Sequence, residues 1–348
     1  MIMAGGTGGH VYPALAVAQE LRTRGHDVVW MGAPDSFESR VVPRHGIPME
    51  FVRVSGLRGK GILKLFLAPL LIARAMLDAW AVLRKQQPDA ALGMGGFAAG
   101  PGGLVAALWG VPLVIHEQNA VAGLTNRWLA RIAQRVLEAF PKTFQRAETV
   151  GNPVRKAIQA VPAPLLRFSG RGGPLRVLVI GGSQGARALN ERVPQALALL
   201  PAAERPEVRH QAGRTLEIAQ QAYSQAGVAA SIEAFIEDMA AAYAWADLVI
   251  CRAGASTITE LAAAGCASVL VPFAAAVDDH QTANAQHLVR ASAARLIPER
   301  ELTAEKLAAT LRELNDRARL LKLAVAARGV AWVGAQQKIA DAVVAVAQ

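Results

Sequence analysis

The sequence predicts an α/β protein of two domains, each a parallel sheet covered by helices. The chain has 348 residues, more than one hydrophobic core usually serves. Its apolar fraction is 53% but its aromatic fraction only 5%, so Ala, Leu, Val and Gly build the interior, which suits helices packed over buried parallel strands. A short apolar strand, a glycine-rich turn and a helix open the chain, and the same series restarts near residue 175.

In the first half, Met1 to Ala4 form a truncated strand, and Gly5, Gly6, Thr7, Gly8, Gly9 and His10 lead into an Ala-rich helix from about Pro13 to Arg24. Glycines there permit a tight turn and close approach by a phosphate, whose charge a helix N-terminus favours. The spacing is neither the GxGxxG fingerprint nor a Walker loop, since His10 interrupts the first and no Lys-Ser/Thr follows. A packing turn is the other reading. His10 is either a proton acceptor, its ordinary pKa being near neutral, or a structural histidine. Strands are expected at Asp27–Gly32, Pro48–Val54, Asp89–Met94 and Pro112–Ile115. Gly93, Gly95, Gly96, Gly100, Gly102 and Gly103 read as a second glycine loop before a helix at Leu104–Leu108. His116, Glu117, Gln118 and Asn119 then stand at a strand's carboxyl end, where open α/β sheets place ligands.

The window from 53 to 85 has seven Lys or Arg (53, 58, 60, 64, 74, 84 and 85) against one acid, Asp78, around an apolar run. It reads either as an amphipathic segment for an anionic membrane surface or as a core-facing helix with a basic edge. The run Leu65–Ala73 is too short to span a bilayer. Residues 1 to 160 hold 18 Lys or Arg against 10 Asp or Glu, so this half calls for an anionic partner. The N-terminus shows no secretory leader pattern, and Cys251 and Cys266 make neither a disulfide framework nor a metal cluster.

The first domain is expected over 1–160, a linker over 161–173, the second domain over 174–330, and a last helix over 331–348 packing back across the domains. In the second domain Leu175–Ile180 is a strand, and Gly181, Gly182, Ser183, Gln184 and Gly185 precede a helix to about Leu200. Further strands fall at Val208–Gln211, Ser231–Ile236 and Val269–Pro272, with helices at Thr215–Gln225 and Glu299–Ala327. The most informative stretch follows the apolar run Ala246–Cys251: Gly254, Ala255, Ser256, Thr257, Ile258, Thr259 and Glu260 read as the turn and first helical turn after a buried strand. It is either half of a nucleotide site, anion at the helix end and carboxylate on a ribose, or an ordinary capped junction. Asp278 and Asp279 lack a third ligand, and a helix cap is the better reading of them than a metal site.

Seven motifs in order, GGTGGH at 5–10, GMGG at 93–96, HEQN with AGLTN at 116–126, GNPVR at 151–155, GGSQGA at 181–186, CRAGASTITE at 251–260 and DDHQTANA at 278–285, resemble the MurG family of GT-B glycosyltransferases, family 28. The resemblance implies two Rossmann-like parallel-sheet domains facing across a cleft. It implies inverting transfer of N-acetylglucosamine from UDP-GlcNAc to the C4 hydroxyl of MurNAc in undecaprenyl-pyrophosphoryl-MurNAc-pentapeptide (lipid I), giving lipid II and UDP for the cell wall. Attachment is then expected to be peripheral, on the cytoplasmic side of the inner membrane at an anionic phospholipid surface. Other cell-wall and division proteins are further candidate partners; no cofactor, metal or nucleic acid is called for. By motif, Thr7, Gly8, Gly9 and Asn119 resemble contacts at the cleft, and Arg155 and Ser183 those around the donor's sugar and phosphates. Ile236 resembles the residue whose backbone reads the uracil, the span Ala255, Ser256, Thr257, Ile258, Thr259 and Glu260 the nucleotide wrap with Glu260 on ribose hydroxyls, and Gln281 a donor-sugar contact. His10 resembles the rim histidine serving the acceptor. The chain has only four residues before its first glycine loop, fewer than the family commonly shows, so a short first strand or an upstream start is expected.

Three other classes fit the sequence less well. A dinucleotide oxidoreductase lacks its fingerprint here. A UDP-GlcNAc 2-epimerase would turn over without a lipid acceptor, and a nucleic-acid module would leave the glycine loops idle.

Overall fold

The first strand alternates its side chains between two apolar layers. Ile2 packs in a cluster with Val11, Leu15, Trp30, Leu92 and Val114, whereas its neighbour Met3 packs with Met31, Ala91, Leu113 and Ile115 on the other face. Both faces are therefore covered, as parallel sheets require. The computed structural model describes residues 1–54, 68–182 and 185–348, and divides them into two units, Met1–Pro153 with Gly334–Gln348, and Val154–Val333.

The first unit holds β1 (Ile2–Met3), β2 (Trp30–Gly32), β3 (Met49–Phe51), β4 (Ala91–Gly93), β5 (Leu113–Glu117), β6 (Arg135–Glu138) and β7 (Glu148–Thr149) in the order β3-β2-β1-β4-β5-β6-β7. The second holds β8 (Arg176–Ile180), β9 (Glu207–Gln211), β10 (Ser231–Glu233), β11 (Leu248–Cys251), β12 (Ser268–Leu270) and β13 (Ala294–Leu296) in the order β10-β9-β8-β11-β12-β13. All pairings are parallel, with Ile2 opposite Leu92 and Leu248 opposite Val177. This is the doubly wound, Rossmann-like order, twice over, of a GT-B protein. Strand order reverses beside β1 in one unit and beside β8 in the other, and such a switch point opens a crevice at the strands' carboxyl ends. The loops after β1 and β4, and those after β8 and β11, stand there.

The helix Ala335–Ala347 belongs to the first unit, where Ile339, Ala340 and Val343 join the cluster of Val11 and Leu15, and Arg24 pairs with Asp341. The chain enters the second unit at Val154, ahead of the stretch 161–173 expected as a linker. Part of that stretch is the helix Pro164–Phe168, whose Arg167 is buried and donates to the carbonyls of Tyr243 and Gly265. The single helix expected at Glu299–Ala327 is two, Ala304–Glu313 and Arg317–Gly329. Asp316 ends the continuity by accepting from the Ala318 N–H as the cap of the second.

The helix expected from Leu104 starts at Ala99 instead and takes in Gly100, Gly102 and Gly103. A Cβ on Gly102 would lie 2.6 Å from Met3 Sδ, and one on Gly103 2.9 Å from Leu129 Cδ1. Gly102 therefore serves close helix–sheet packing and Gly103 close packing against the helix Leu124–Leu129, rather than a loop.

Candidate active site

The glycine turn after β1 is held from below by an acid. Glu38 is buried, and its carboxylate accepts from the Gly6 N–H at 3.0 Å and the Ala33 N–H at 3.1 Å. It sits so close to Gly5 that a Cβ there would meet Oε1 at 2.4 Å. Gly96, at φ +87°, touches the same turn, where a Cβ would fall 2.3 Å from the Gly5 carbonyl oxygen. The helix then begins at Gly8, earlier than Pro13, with Thr7 as its exposed N-cap residue and Gly8, Gly9 and His10 in its first turn.

His10 Nδ1 lies 2.7 Å from Gln118 Oε1. Gln118 Nε2 is 3.1 Å from both His116 Nδ1 and the His116 carbonyl oxygen, and His116 Nε2 is 2.9 Å from the Gly151 carbonyl oxygen. Burial pushes the His116 imidazole down to about 4, so it is neutral at physiological pH. Of the polar quartet 116–119 only Asn119 is part-exposed; the other three are buried. Glu117 organises the turn around Asn119. Its Oε1 accepts from the Asn119 backbone and side-chain amides at 3.0 and 3.2 Å, its Oε2 from Gly123 N–H and Asn126 Nδ2 at 3.1 and 2.9 Å.

In the second unit the helix Ala255–Ala264 starts directly after β11. Its N-cap, Gly254, has no side chain to bond the first-turn N–H groups, which leaves that positive end to a ligand. Ala255, Ile258 and Thr259 turn inward, the Thr259 hydroxyl donating to the Ala255 and Ser256 carbonyls at 3.0 Å, so these three offer a ligand only backbone. Ser256, Thr257 and Glu260 remain part-exposed.

Glu260 Oε1 accepts from Arg155 Nη2 at 3.1 Å and Oε2 from the Tyr243 hydroxyl at 3.1 Å. Burial raises the Glu260 pKa, and Arg155 and Tyr243 oppose that rise. The Tyr243 phenol is pushed well up, by burial first and by the Glu260 charge after it, so it stays a donor. Gln281 Oε1 accepts from the Ala253 N–H at 3.2 Å and the Phe273 N–H at 2.9 Å, tying the loop after β12 to the turn before the helix. Its carbonyl oxygen is thus taken, and its amide NH2 is the part free to serve a ligand. Asp279 precedes the helix His280–Arg290 and accepts from the Thr282 hydroxyl at 2.7 Å.

Ser183 lies outside the described residues. The flanking glycines interlock with a third that the motifs did not flag: Gly182, Gly185 and Gly213 all have positive φ, and a Cβ on Gly213 would come within 2.2 Å of Gly185 N. Asn190 Nδ2 bonds the Ala212 and Thr215 carbonyls at 3.1 Å, and His210, driven down to about 3 by burial, bonds Asn190 Oδ1 at 2.9 Å behind that turn. Ile236 is nearly buried beside an open depression of about 520 Å³ lined by Arg209, Glu233, Phe235 and Asp238. The helix Met239–Trp245 runs on from there to Tyr243, and so to Glu260.

Residues 1–138 match the glycosyltransferase family 28 N-terminal domain and residues 176–342 its C-terminal domain. The chain belongs to glycosyltransferase family 28. It is 55% identical over 346 residues to the UDP-N-acetylglucosamine--N-acetylmuramyl-(pentapeptide) pyrophosphoryl-undecaprenol N-acetylglucosamine transferase of Marinobacter nauticus, covering 98% of this chain and 95% of the relative. To the transferase of that name from Xanthomonas campestris pv. campestris strain 8004 it is 58% identical over 345 residues, covering 98% and 80%. The crystal structure of Acinetobacter baumannii MurG superposes with a TM-score of 0.88 at 43% identity, covering 99% of each chain. The calicheamicin glycosyltransferase CalG4, at 17% identity and a TM-score of 0.71, shares the fold.

As a family 28 glycosyltransferase the chain has site features that its motifs did not single out. Glu38 and Tyr243 are the clearest. Glu38 lies 32 residues from Gly6 and carries no motif. Tyr243 reads in sequence as part of a buried helical stripe, which it is, while its hydroxyl alone reaches Glu260. A tyrosine within an Ala-rich stripe, where a leucine would pack without a polar tip, is the one available signal.

Proposed function

We propose that this chain transfers N-acetylglucosamine from UDP-GlcNAc to the C4 hydroxyl of the muramyl sugar in undecaprenyl-pyrophosphoryl-MurNAc-pentapeptide, with inversion, releasing lipid II and UDP for peptidoglycan synthesis. The observation that carries this reading is likeness along 98% of the chain, at 55 to 58% identity, to relatives bearing that activity in their name.

Inversion in one displacement needs one base and no covalent intermediate. The acceptor hydroxyl gives its proton to His10 as its oxygen attacks C1 of the donor sugar, and the bond from C1 to the UDP oxygen breaks on the opposite face. Thr7, Gly8, Gly9 and Asn119 line the acceptor side. Charge growing on the departing diphosphate meets the uncapped N-terminus of the helix Ala255–Ala264, Ser183 and Arg155. Glu260 accepts from the ribose hydroxyls, the Ile236 backbone meets the uracil, and Gln281 gives its amide N–H to the donor sugar.

We assign peripheral attachment on the cytoplasmic face of the inner membrane, against anionic phospholipid. Leu70 and Leu77 are 68% and 67% exposed on the helix Ala68–Gln86, beside Arg74 and Arg84. Arg58, Lys60 and Lys64 lie outside the described residues. Among the described residues no helix is long and apolar enough to cross a membrane.

The test incubates the purified protein with isotope-labelled UDP-GlcNAc and a short-chain lipid I analogue, with and without EDTA, following UDP release and label in the lipid. Label in the lipid is the expected result. UDP release without it overturns the transfer, and its loss with EDTA would bring Asp278 and Asp279 back as metal ligands.

A further inference from the structure

Two backbone carbonyls decide which nitrogen of His10 carries its proton. The Gly151 carbonyl can only accept, so His116 Nε2, 2.9 Å away, must be the protonated nitrogen. His116 is fully buried and neutral, which makes its Nδ1 an acceptor. Gln118 Nε2 faces that Nδ1 and the His116 carbonyl oxygen, both at 3.1 Å. With two acceptors on one side, the amide must turn its NH2 toward them and its oxygen toward His10. The reverse orientation would set the amide oxygen against the His116 carbonyl oxygen, which Asn126 Nδ2 also reaches at 3.2 Å, and leave the buried His116 Nδ1 without a donor. The Asn152 side chain, donating to the Gln118 backbone carbonyl at 3.0 Å, fixes the segment. Gln118 Oε1, 2.7 Å from His10 Nδ1, can therefore only accept, and Nδ1 must carry the hydrogen.

We infer that His116 and Gln118 are positioning residues that hold His10 in its Nδ1–H tautomer and leave the Nε2 lone pair as the proton acceptor. The inference rests on the reading of His10 as the base. It adds where the proton goes, onto Nε2, and what meets the imidazolium that results, the Gln118 oxygen on the opposite nitrogen. Gly95 completes the arrangement. Its φ is +90°, and a Cβ there would lie 3.0 Å from His10 Nδ1 and Cε1, so only glycine lets the ring lie against this turn and reach Gln118. The chain of partners spans residues 10, 116, 118 and 151, all within the first unit.

The experiment reads the tautomer directly, by ¹⁵N NMR of the seven histidine side chains in the full-length protein at neutral pH, with His10 assigned by its loss in His10→Gln. Wild type is expected to show His10 protonated on Nδ1 and His116 protonated on Nε2. Gln118→Leu is expected to convert His10 to a mixture of tautomers and to lower kcat roughly 10- to 100-fold, with the donor KM within about threefold. Gln118→Glu keeps an acceptor oxygen for Nδ1–H but turns its second oxygen on His116 Nδ1 and the His116 carbonyl, so it should restore the single His10 tautomer while recovering only part of kcat. A wild-type His10 protonated on Nε2 overturns the inference without any variant having to fold, as does a Gln118→Leu protein with unchanged His10 signals and unchanged kcat. Normal turnover by His10→Gln with the Nδ1–H tautomer intact in wild type would instead remove His10 as the base, so the two failures are distinguishable.

Discussion

Tyr243 donates its hydroxyl to Glu260 Oε2 at 3.1 Å while Arg155 reaches the other oxygen at 3.1 Å, so two elements outside the helix fix one carboxylate on it. The two supports differ in kind: Tyr243 is buried, whereas Arg155 is exposed and screened by water. The tyrosine should set the carboxylate's position and the arginine add little to stability.

Glu260→Ala should therefore raise the KM for UDP-GlcNAc roughly 10- to 100-fold, the span of one or two hydrogen bonds to a charged group. Tyr243→Phe should raise it a few-fold and leave kcat nearly unchanged. Steady-state kinetics at saturating acceptor decide this, and an unaltered donor KM in Glu260→Ala would sink the ribose assignment.

His10→Ala should depress kcat by roughly 100-fold or more, the usual range for a lost general base, with donor affinity close to wild type. Calorimetric binding of UDP alongside turnover separates the two quantities. Near-normal turnover would take His10 out of the chemistry.

Acid should weaken the fold before ordinary carboxylates titrate. The native-state pKa of His116 falls from 6.5 to about 4 and that of His210 to about 3, burial being the cause in both. Between those values and 6.5 the unfolded chain binds more protons than the folded one, so stability is complete above about pH 6.5 and declines as pH drops toward 4. Each histidine contributes on the order of 3 kcal/mol to that decline. Urea denaturation at pH 7.5 and pH 5 should show the loss, and a replacement of either histidine that still folds should flatten it.

Gly96→Ala should destabilise the first unit by roughly 3 kcal/mol or more, since its Cβ would fall 2.3 Å from the Gly5 carbonyl oxygen at a positive φ. Gly172→Ala, where nothing lies within 4 Å, should stay within roughly 0.5 kcal/mol of wild type. Equal unfolding midpoints for the two variants would contradict the packing described for the turn.

Charge reversal at Arg58, Lys60 and Lys64 should reduce sedimentation with anionic vesicles, each charge contributing about 1 kcal/mol near such a surface. Undiminished sedimentation would move the membrane contact elsewhere.

Much of this was legible because strands and glycine turns are local. Leu175–Ile180 reads as a strand and is β8 within one residue, and the turn before Ala255 reads as a helix start and is one. What escaped was set by partners distant in sequence. Gly102 and Gly103 look like loop residues until Met3 and Leu129 are seen pressed against them. His10 and Gln118 stand 108 positions apart, and no local pattern states that one orients the other. Proline and glycine between 161 and 173 suggested a linker, yet Pro164 suits the first turn of a helix and Arg167 anchors it through carbonyls 76 and 98 residues on.

The helix Ala335–Ala347 gives the chain an order of assembly. Ile339, Ala340 and Val343 lie against Val11 and Leu15, so the first unit's apolar layer is closed by residues synthesised only after all of 154–333. During translation the second unit has its whole sequence while the first still exposes the seat of its last helix. A chain cut short near residue 333 would hold every residue of the second unit and lack the helix that covers Val11 and Leu15 in the first, which makes the N-terminal unit the one open to premature association.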